Sequence, residues 1–349
     1  MILLIPAASA VALEGRLVLD VSQAEVEITV VSDRYQMAKQ PGLKLNSLPA
    51  FDFEFFSDDG ALIPVLQGPF ASEHPLWEYV LGVGRIEMAE NGAQLITLPV
   101  SLQQRNQNCI HNGLLQLSID AAGRADRANY DVRSETCIDL KLDVSASLEV
   151  EYRPKPVPNR AQLVDRYRVN QQQRLPVRAL AELVRLGVDP DRLSAAGVIP
   201  AADMTVFGLL LDGIHYRDGC HTRGGDYSLC DELPLPSYSL AKSFFAGLGL
   251  MRLEQLYPGA ADAVIADYVP ECASSAKWQD VRFQDALNMV TGVYDSPDNH
   301  VDEGAAKLGD GFFAVETHAE RIAYACNAYP RQQPAGQRWV YNTATTYVL

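Results

Sequence analysis

A strongly apolar segment that follows two closely spaced prolines is the feature that most restricts how this chain can fold. Pro234 and Pro236 keep the backbone before the segment extended, so that a helix can begin only after them. Residues 244–251 are apolar on nearly every side of such a helix, which is typical of a helix that is buried within a domain. The sequence therefore predicts a buried helix that begins shortly after Pro236.

A serine and a lysine lie at the start of this predicted helix. Ser239 and Lys242 are three residues apart, a spacing that places both side chains on the same helix face. A buried lysine loses hydration, which favours its neutral form, and the neutral amine can take the proton of a serine nucleophile. The first amides of the helix would also stabilise a negatively charged oxygen. The pair therefore predicts a nucleophile with its own base.

The Ser-x-x-Lys pattern by itself also fits a residue pair with no catalytic role. The same spacing occurs at Ser274 and Lys277, where no apolar helix surrounds it, and we interpret that copy as a coincidence in a loop. At the first copy, a helix with a purely structural role could hold a lysine whose ammonium group extends to the solvent. The residues that follow the first copy are what favour catalysis there.

Several segments after Pro236 resemble the serine β-lactamase and penicillin-binding-protein superfamily, in the branch of class C β-lactamases, DD-peptidases and esterases. Ser239-Leu240-Ala241-Lys242-Ser243 is similar to the first motif of that superfamily, and Tyr341-Asn342-Thr343 is similar to its second motif, Tyr-x-Asn or Tyr-x-Ser. Three segments between these motifs also resemble the superfamily and occur in its order, at residues 250–256, 265–271 and 281–292. The resemblance covers residues 203–349.

This resemblance implies a role for each motif residue. Ser239 would be the acylated nucleophile, Lys242 would assist its activation, and Tyr341 would pass a proton to the leaving group. Thr343 would contribute to substrate binding. It stands where asparagine is usual and lacks an amide, which favours an esterase or amidase over a β-lactamase. We expect no metal ion and no cofactor.

Both ends of the sequence suggest that the chain is part of a longer one. The third motif of the superfamily, Lys-Thr-Gly or His-x-Gly, should follow Tyr341, but the only similar string, residues 221–224, precedes the nucleophile. We therefore expect the hydrolase domain to be truncated before this motif and the 349-residue fragment alone to be inactive. Residues 1–12 resemble the remnant of a secretory signal peptide without its basic region, the alternative being an apolar first strand.

Charge and cysteine content narrow the class of protein. The formal net charge of -15 argues against binding to nucleic acid or to anionic membrane surfaces, and no run is long and apolar enough to span a membrane. The six cysteines form three local couples, which predicts disulfides and a periplasmic or secreted location. The couples are Cys109 with Cys137, Cys220 with Cys230, and Cys272 with Cys326. The alternative is six buried thiols in a cytosolic protein, whereas a zinc site is disfavoured because no Cys-x-x-Cys occurs.

The pattern along the chain predicts an α+β protein. Residues 13–152 alternate apolar and polar side chains, which predicts half-buried strands in an all-β, sandwich-like domain. A proline-rich linker, residues 153–176, follows. The resemblance implies that residues 177–349 form the hydrolase domain, an antiparallel sheet with helices. It would begin with an amphipathic helix at 177–186 that ends at Gly187, followed by a hairpin that turns at Asp212-Gly213.

Two classes of function fit these features. The first is a serine hydrolase that acts through an acyl-enzyme on the ester, amide or lactam carbonyl of a small-molecule or peptide-like substrate. The second is a non-catalytic binding protein of the cell envelope that has the same fold and an inert cleft. An acidic run at residues 295–303 could bind a cation such as calcium, but such a run is more often a solvated loop.

Overall fold

The computed structural model of the 349-residue chain describes residues 12–105, 109–137, 139–193, 199 and 204–349. The chain divides into two compact units, one of which ends at Pro236 while the other comprises Ser237–Leu349. A large antiparallel sheet and a set of short helices are present, which confirms a mixed α and β protein. The predicted signal-peptide remnant, residues 1–12, lies outside the described residues except for Ala12.

Ten strands of the first unit form one antiparallel sheet. They are β1 (Glu14–Asp33), β2 (Phe51–Asp58), β3 (Ala61–Pro64), β4 (Gly68–Phe70), β5 (Trp77–Leu81), β6 (Gly84–Met88), β7 (Gln94–Gln104), β8 (Ile110–Ile119), β9 (Ala128–Glu135) and β10 (Leu140–Pro154). Their order is β4-β5-β7-β6-β3-β2-β1-β10-β9-β8. Because β7 also pairs with β8, the hydrogen-bonded order returns on itself.

Alternation of side chains along these strands produces the buried face of the sheet. In β10 every second side chain from Leu140 to Leu148 is buried, and the side chains between them are half-buried. The buried residues join those of the neighbouring strands in one apolar core. The predicted half-buried strands are therefore confirmed. Their hydrogen bonding makes one connected sheet, whereas a sandwich would have two.

One titratable side chain is fully enclosed in this sheet. His111 on β8 is 0% exposed, and neither ring nitrogen has a hydrogen-bond partner among the described residues. Its ring lies edge-on to Trp77, with the ring centroids 5.2 Å apart. Burial, and to a smaller extent the positive charge of Arg223, lowers the pKa of His111 from 6.5 to about 3. The folded protein therefore holds this imidazole neutral at pH 7.

We expect His111 to make the first unit sensitive to acid. Between pH 6.5 and about 3 the unfolded chain binds a proton that the folded chain excludes, so the free energy of unfolding falls as the pH falls through this range. The slope from this residue is about 1.4 kcal/mol per pH unit. Urea unfolding at a series of pH values gives the free energy of unfolding as a function of pH. This free energy should depend less steeply on pH in His111→Leu than in the unmodified protein. An unchanged slope in that variant would mean that other groups cause the acid sensitivity.

The remaining elements of the first unit follow the large sheet. They are α1 (Arg160–Gln173), β11 (Val177–Ala179), a 3-10 helix (Leu180–Leu186), α2 (Pro190–Leu193), β12 (Gly208–Leu211), β13 (Ile214–Arg217), β14 (His221–Thr222), β15 (Gly225–Asp226) and a second 3-10 helix (Cys230–Glu232). Strands β12 and β13 form the predicted hairpin, and the φ angles of Asp212 and Gly213, 50° and 75°, suit its two-residue turn.

Two predictions for this stretch differ from what the structure contains. The segment expected as an amphipathic helix at 177–186 is a short strand, β11, followed by a 3-10 helix, because its first residues pair with β13. It ends at Gly187, as predicted, in the left-handed conformation that glycine adopts most easily.

The predicted linker, residues 153–176, contains the helix α1. The boundary between the two compact units lies later in the sequence, between Pro236 and Ser237.

The second unit consists of short helices and turns around its own core. Its elements are a π-helical turn (Lys242–Gly247), α3 (Leu248–Leu256), a 3-10 helix (Ile265–Asp267), α4 (Pro270–Ala273), a 3-10 helix (Ala276–Trp278), α5 (Phe283–Leu287), α6 (Ala306–Leu308), a π-helical turn (Gly309–Phe313), α7 (His318–Asn327) and α8 (Thr343–Thr346). The core centres on Trp278, which is fully buried and donates its indole N–H to the carbonyl of Cys326 over 2.8 Å.

The helix that follows the prolines is present, but its predicted burial is wrong. Phe245 is 78% exposed and Met251 is 67% exposed, while Leu250 is buried. All residues of 237–349 are described, and among them only isolated bridges occur and no strand that could cover the helix. Helix α5 contacts it on one side, and a groove of about 690 Å³ lined by Phe245, Leu250 and Phe283 stays open. The antiparallel sheet expected beside this helix is absent from the second unit.

All three predicted disulfides are present: Cys109–Cys137, Cys220–Cys230 and Cys272–Cys326. Disulfides persist in oxidising compartments, so their presence fits an extracellular or periplasmic location. Among the described residues, none of the helices has the length and apolar character needed to cross a membrane.

We expect the Cys272–Cys326 disulfide to be the main covalent support of the second unit. It joins α4 to α7 across 54 residues, and both cysteines are fully buried. A disulfide that closes a loop of that length lowers the conformational entropy of the unfolded chain, which stabilises the folded state by about 4 kcal/mol. The shorter loop of Cys220–Cys230 gives about 3 kcal/mol. Replacing Cys272 and Cys326 by alanine should therefore lower the free energy of unfolding more than replacing Cys220 and Cys230 does. Urea unfolding measures both losses. Equal stability of the variant without Cys272 and Cys326 and the unmodified protein would contradict the prediction.

Candidate active site

The structure brings three of the predicted site residues into mutual contact within the second unit. Lys242 Nζ donates to Ser239 Oγ over 3.0 Å and to the hydroxyl of Tyr341 over 3.2 Å. The Tyr341 hydroxyl donates to Ser239 Oγ over 2.5 Å. The serine oxygen, the lysine nitrogen and the tyrosine oxygen therefore form a closed triangle, although the serine and the tyrosine are 102 residues apart in sequence.

A sharp turn places Ser239 at the beginning of its helix. Tyr238 has a φ angle of 45°, which is uncommon for a residue other than glycine. The first turn of the helix contains the hydrogen bonds from the amide of Leu240 to the carbonyl of Ser237, over 3.0 Å, and from the amide of Lys242 to the carbonyl of Ser239, over 3.1 Å. The amide of Ser239 thus belongs to the first turn, where N–H groups have no acceptor within the helix. It can donate to a negatively charged oxygen that forms beside Ser239 Oγ.

The helix changes its winding at the lysine. Lys242 is the first residue of the π-helical turn, and α3 continues from Leu248 with ordinary winding. Turns of this wider kind are rare and are often found at functional sites. Because the wide turn begins only at Lys242, the spacing from Ser239 to Lys242 is unaffected, and both side chains keep to one face.

An extended segment directs Tyr341 toward the serine. Val340 and Asn342 are buried at 6% and 2% exposure, whereas Tyr341 between them lies on the opposite, half-buried side. The amide of Val340 donates to the carbonyl of Met289 over 3.0 Å. The side-chain oxygen of Asn342 accepts the amide of Thr345 over 3.2 Å and so caps α8. The backbone is therefore fixed on both sides of the tyrosine.

A cation and two other rings surround the Tyr341 ring. Lys242 Nζ lies 5.1 Å from its centroid, within the range of a cation–π contact. The centroids of His300 and Trp339 lie 5.3 Å and 6.2 Å from it. Lys242 is half-buried rather than fully buried as predicted, and Ser239 is exposed to the solvent. The serine oxygen is therefore accessible to a dissolved substrate.

This arrangement can move a proton as well as hold a nucleophile. A neutral amine at Lys242 can accept the hydroxyl proton of Ser239, since the ammonium form has only donors. The Tyr341 hydroxyl can both donate and accept, so it can pass a proton between the lysine and a group bound at the serine. A serine hydroxyl, a lysine amine and a tyrosine hydroxyl thus lie within one hydrogen-bonded ring.

Thr343, the predicted substrate-binding residue, lies outside the triangle. Its amide donates to Glu303 Oε2 over 2.9 Å, and its hydroxyl donates to Glu303 Oε1. Sequence reasoning did not single out Glu303, which is the last residue of the acidic run at 295–303. No local pattern identifies it, because it lies 40 residues before its partner in the sequence.

Two other carboxylates of the acidic run have partners within the protein. The buried carboxylate of Asp302 accepts the amides of Asp295 and Ser296 over 2.9 and 3.0 Å. Lys307 Nζ lies 2.6 Å from the carboxylate of Asp295. Within the described part of the chain, no group of three or more acidic, histidine or cysteine side chains is placed to hold a metal ion.

The second Ser-x-x-Lys pair does not form a comparable site. Ser274 donates its hydroxyl to the carbonyl of Glu271 over 3.2 Å, and Lys277 Nζ donates to the carbonyl of Tyr329 over 2.6 Å. Each side chain is thus engaged by a backbone carbonyl. Ser274 also ends α4 rather than beginning a helix, so its amide is not placed to stabilise an oxyanion.

The chain was compared with protein-family models, curated proteins and solved structures. No family model, no curated protein and no solved structure gives a significant match to this chain.

Proposed function

We propose that this protein is a serine hydrolase that forms an acyl-enzyme at Ser239. The observation that carries the proposal is the closed triangle of Ser239, Lys242 and Tyr341 at the N-terminus of a helix. The order of the sequence motifs adds support, because it resembles the serine β-lactamase and penicillin-binding-protein superfamily. On this proposal the second unit corresponds to part of the hydrolase domain of that superfamily, and its first helix is the nucleophile helix.

The proposed reaction has two stages, acylation of Ser239 and hydrolysis of the acyl-enzyme. Ser239 Oγ forms a bond to the carbonyl carbon of the substrate, its proton passes to Lys242, and the carbonyl oxygen becomes an oxyanion beside the amide of Ser239. When this intermediate collapses, the bond to the leaving group breaks, and the leaving group receives a proton through Tyr341. Water then forms a bond to the acyl carbon and gives a proton to the lysine and tyrosine pair. The bond from that carbon to Ser239 Oγ breaks, Oγ takes the proton back, and a carboxylic acid leaves.

The side chains around the triangle favour an ester or an amide as the substrate. Thr343 supplies no side-chain amide, and its hydroxyl already donates to Glu303, which favours an ester or amide carbonyl over a lactam. The exposed serine suits a small-molecule or peptide-like substrate. The formal net charge of -15 disfavours nucleic acid as a partner. The three disulfides favour a periplasmic or secreted location.

The test is covalent labelling followed by intact mass spectrometry and peptide mapping. A fluorophosphonate ester should add one phosphonyl group to the protein, and the adduct should map to the peptide that contains Ser239. A penicillin should add less or not at all if the ester and amide preference holds.

The second Ser-x-x-Lys pair provides an internal control. The peptide that contains Ser274 should carry no adduct, because its lysine is engaged elsewhere. An adduct on Ser274, or no adduct at all after long exposure, would contradict the proposal. The latter result would favour a non-catalytic binding protein of the cell envelope.

A further inference from the structure

We propose that Glu303 is a positioning residue that holds Tyr341 in place for proton transfer, and that Thr343 is its partner in this role rather than a ligand of the substrate. The inference rests on the proposed hydrolase function, because the position of Tyr341 matters only if it transfers a proton. Glu303 forms no hydrogen bond with Ser239, Lys242 or Tyr341 in the second unit, all of which is described, so any effect on the reaction passes through Thr343.

The contact between Glu303 and Thr343 uses both oxygens of the carboxylate. One oxygen accepts the amide of Thr343 over 2.9 Å, and the other accepts its hydroxyl. Both residues are half-buried. Hydrogen bonds to a charged acceptor are stronger than neutral ones, and two parallel bonds fix orientation as well as distance. The backbone at Thr343 is therefore held at one place relative to the loop that ends at Glu303.

Tyr341 lies between this anchor and a second one. On its other side the amide of Val340 donates to the carbonyl of Met289 over 3.0 Å. Asn342 has an extended backbone just before α8 begins, and of the residues from Val340 to Thr343 only Tyr341 and Thr343 are half-buried rather than buried. Without the Glu303 anchor this segment would keep the hydrogen bond of Val340 and the cap of Asn342, but it would lose the anchor two residues after the tyrosine.

The loss of one anchor has a predictable cost for a reaction that depends on position. The Tyr341 hydroxyl must stay within hydrogen-bond distance of Ser239 Oγ and of Lys242 Nζ, as it does here. A displacement of about 1 Å can slow such a step by up to about a hundredfold. Binding of the substrate itself should change little, because Glu303 and Thr343 engage each other instead of the substrate.

The decisive measurement separates binding from chemistry in the labelling reaction. We expect Glu303→Ala to lower the limiting rate constant for phosphonylation of Ser239 by about 10- to 100-fold, with the half-saturating probe concentration unchanged. Glu303→Gln should restore the rate, because its amide can accept the Thr343 N–H and donate to the Thr343 hydroxyl oxygen. Glu271→Ala, an exposed glutamate of α4 in the same unit, is the matched control and should label at the normal rate.

A double variant shows whether the two residues act as one unit. Thr343→Val should slow labelling, and the combination with Glu303→Ala should be no slower than Glu303→Ala alone. A merely structural role would lower the fraction of protein that can be labelled but leave the rate constant of that fraction unchanged, and this result would overturn the inference. Equal rates in Glu303→Ala and the unmodified protein would do the same. If the unmodified protein takes no label at Ser239, the hydrolase proposal itself is wrong, and the role of Glu303 falls with it.

Discussion

Ser239→Ala is expected to abolish covalent labelling of this protein and any ester hydrolysis that the protein performs. The Oγ atom of Ser239 receives hydrogen bonds from both Lys242 and Tyr341. Removal of a serine nucleophile typically lowers the rate by more than about a thousandfold. Alanine leaves the helix and its neighbours in place, because Ser239 is exposed and fills no part of the core. Intact mass after fluorophosphonate treatment and release of p-nitrophenol from an ester measure the loss.

The matched control for this prediction is Ser274→Ala. It removes the serine of the other Ser-x-x-Lys pair, whose hydroxyl donates to a backbone carbonyl. This variant should be labelled, and should hydrolyse esters, at the same rates as the unmodified protein. Hydrolysis that persists in Ser239→Ala would show that the nucleophile lies elsewhere.

Lys242→Ala is expected to lower the rate of acylation by on the order of a thousandfold while the protein stays folded. The serine then loses the amine that lies 3.0 Å from its oxygen, and the hydroxyl of Tyr341 loses the hydrogen bond that this amine donates over 3.2 Å. Lys242→Arg should not restore the rate, because a guanidinium remains protonated and cannot accept the serine proton. The measurement is the rate constant of phosphonylation at saturating probe.

Lys277→Ala tests whether this effect is specific to the site. Lys277 stands in the same sequence pattern but donates to the carbonyl of Tyr329, so its loss should not change the rate of acylation. If Lys242→Ala reacts as fast as the unmodified protein, the lysine is a structural element of the helix, as the alternative interpretation of the sequence holds.

The part of the site that is local in sequence could be predicted from the residues alone. The spacing of Ser239 and Lys242 fixes their contact as soon as a helix forms. Tyr341 could not be found in this way, because it reaches the serine across 102 residues, and only the order of several motifs indicated it. The disulfide partners were predictable because the cysteines occur as neighbouring couples along the chain.

The failures share one physical cause, which is that a segment does not specify its tertiary partner. The apolar helix at 244–251 was predicted to be buried, but no sheet of the second unit covers it, and Phe245 is 78% exposed. The segment at 177–186 has a helical pattern, but its first three residues pair with β13. Glu303 belongs to a run of acidic residues typical of a solvated loop, and only the fold places it against Thr343.

The pairing of β1 with β10 sets a limit on when the first unit can fold during synthesis. Gly15 lies opposite Pro154, so β1 finds one of its two neighbours only when β10, the last strand of the ten-stranded sheet, has been made. The chain from Gly15 to Pro154 must be translated first, which at about 5–20 residues per second takes roughly 7 to 30 s. Contacts between such distant parts of a chain also form slowly once the chain is complete. A chain that stays open for this long can be threaded through a secretion channel before its sheet closes.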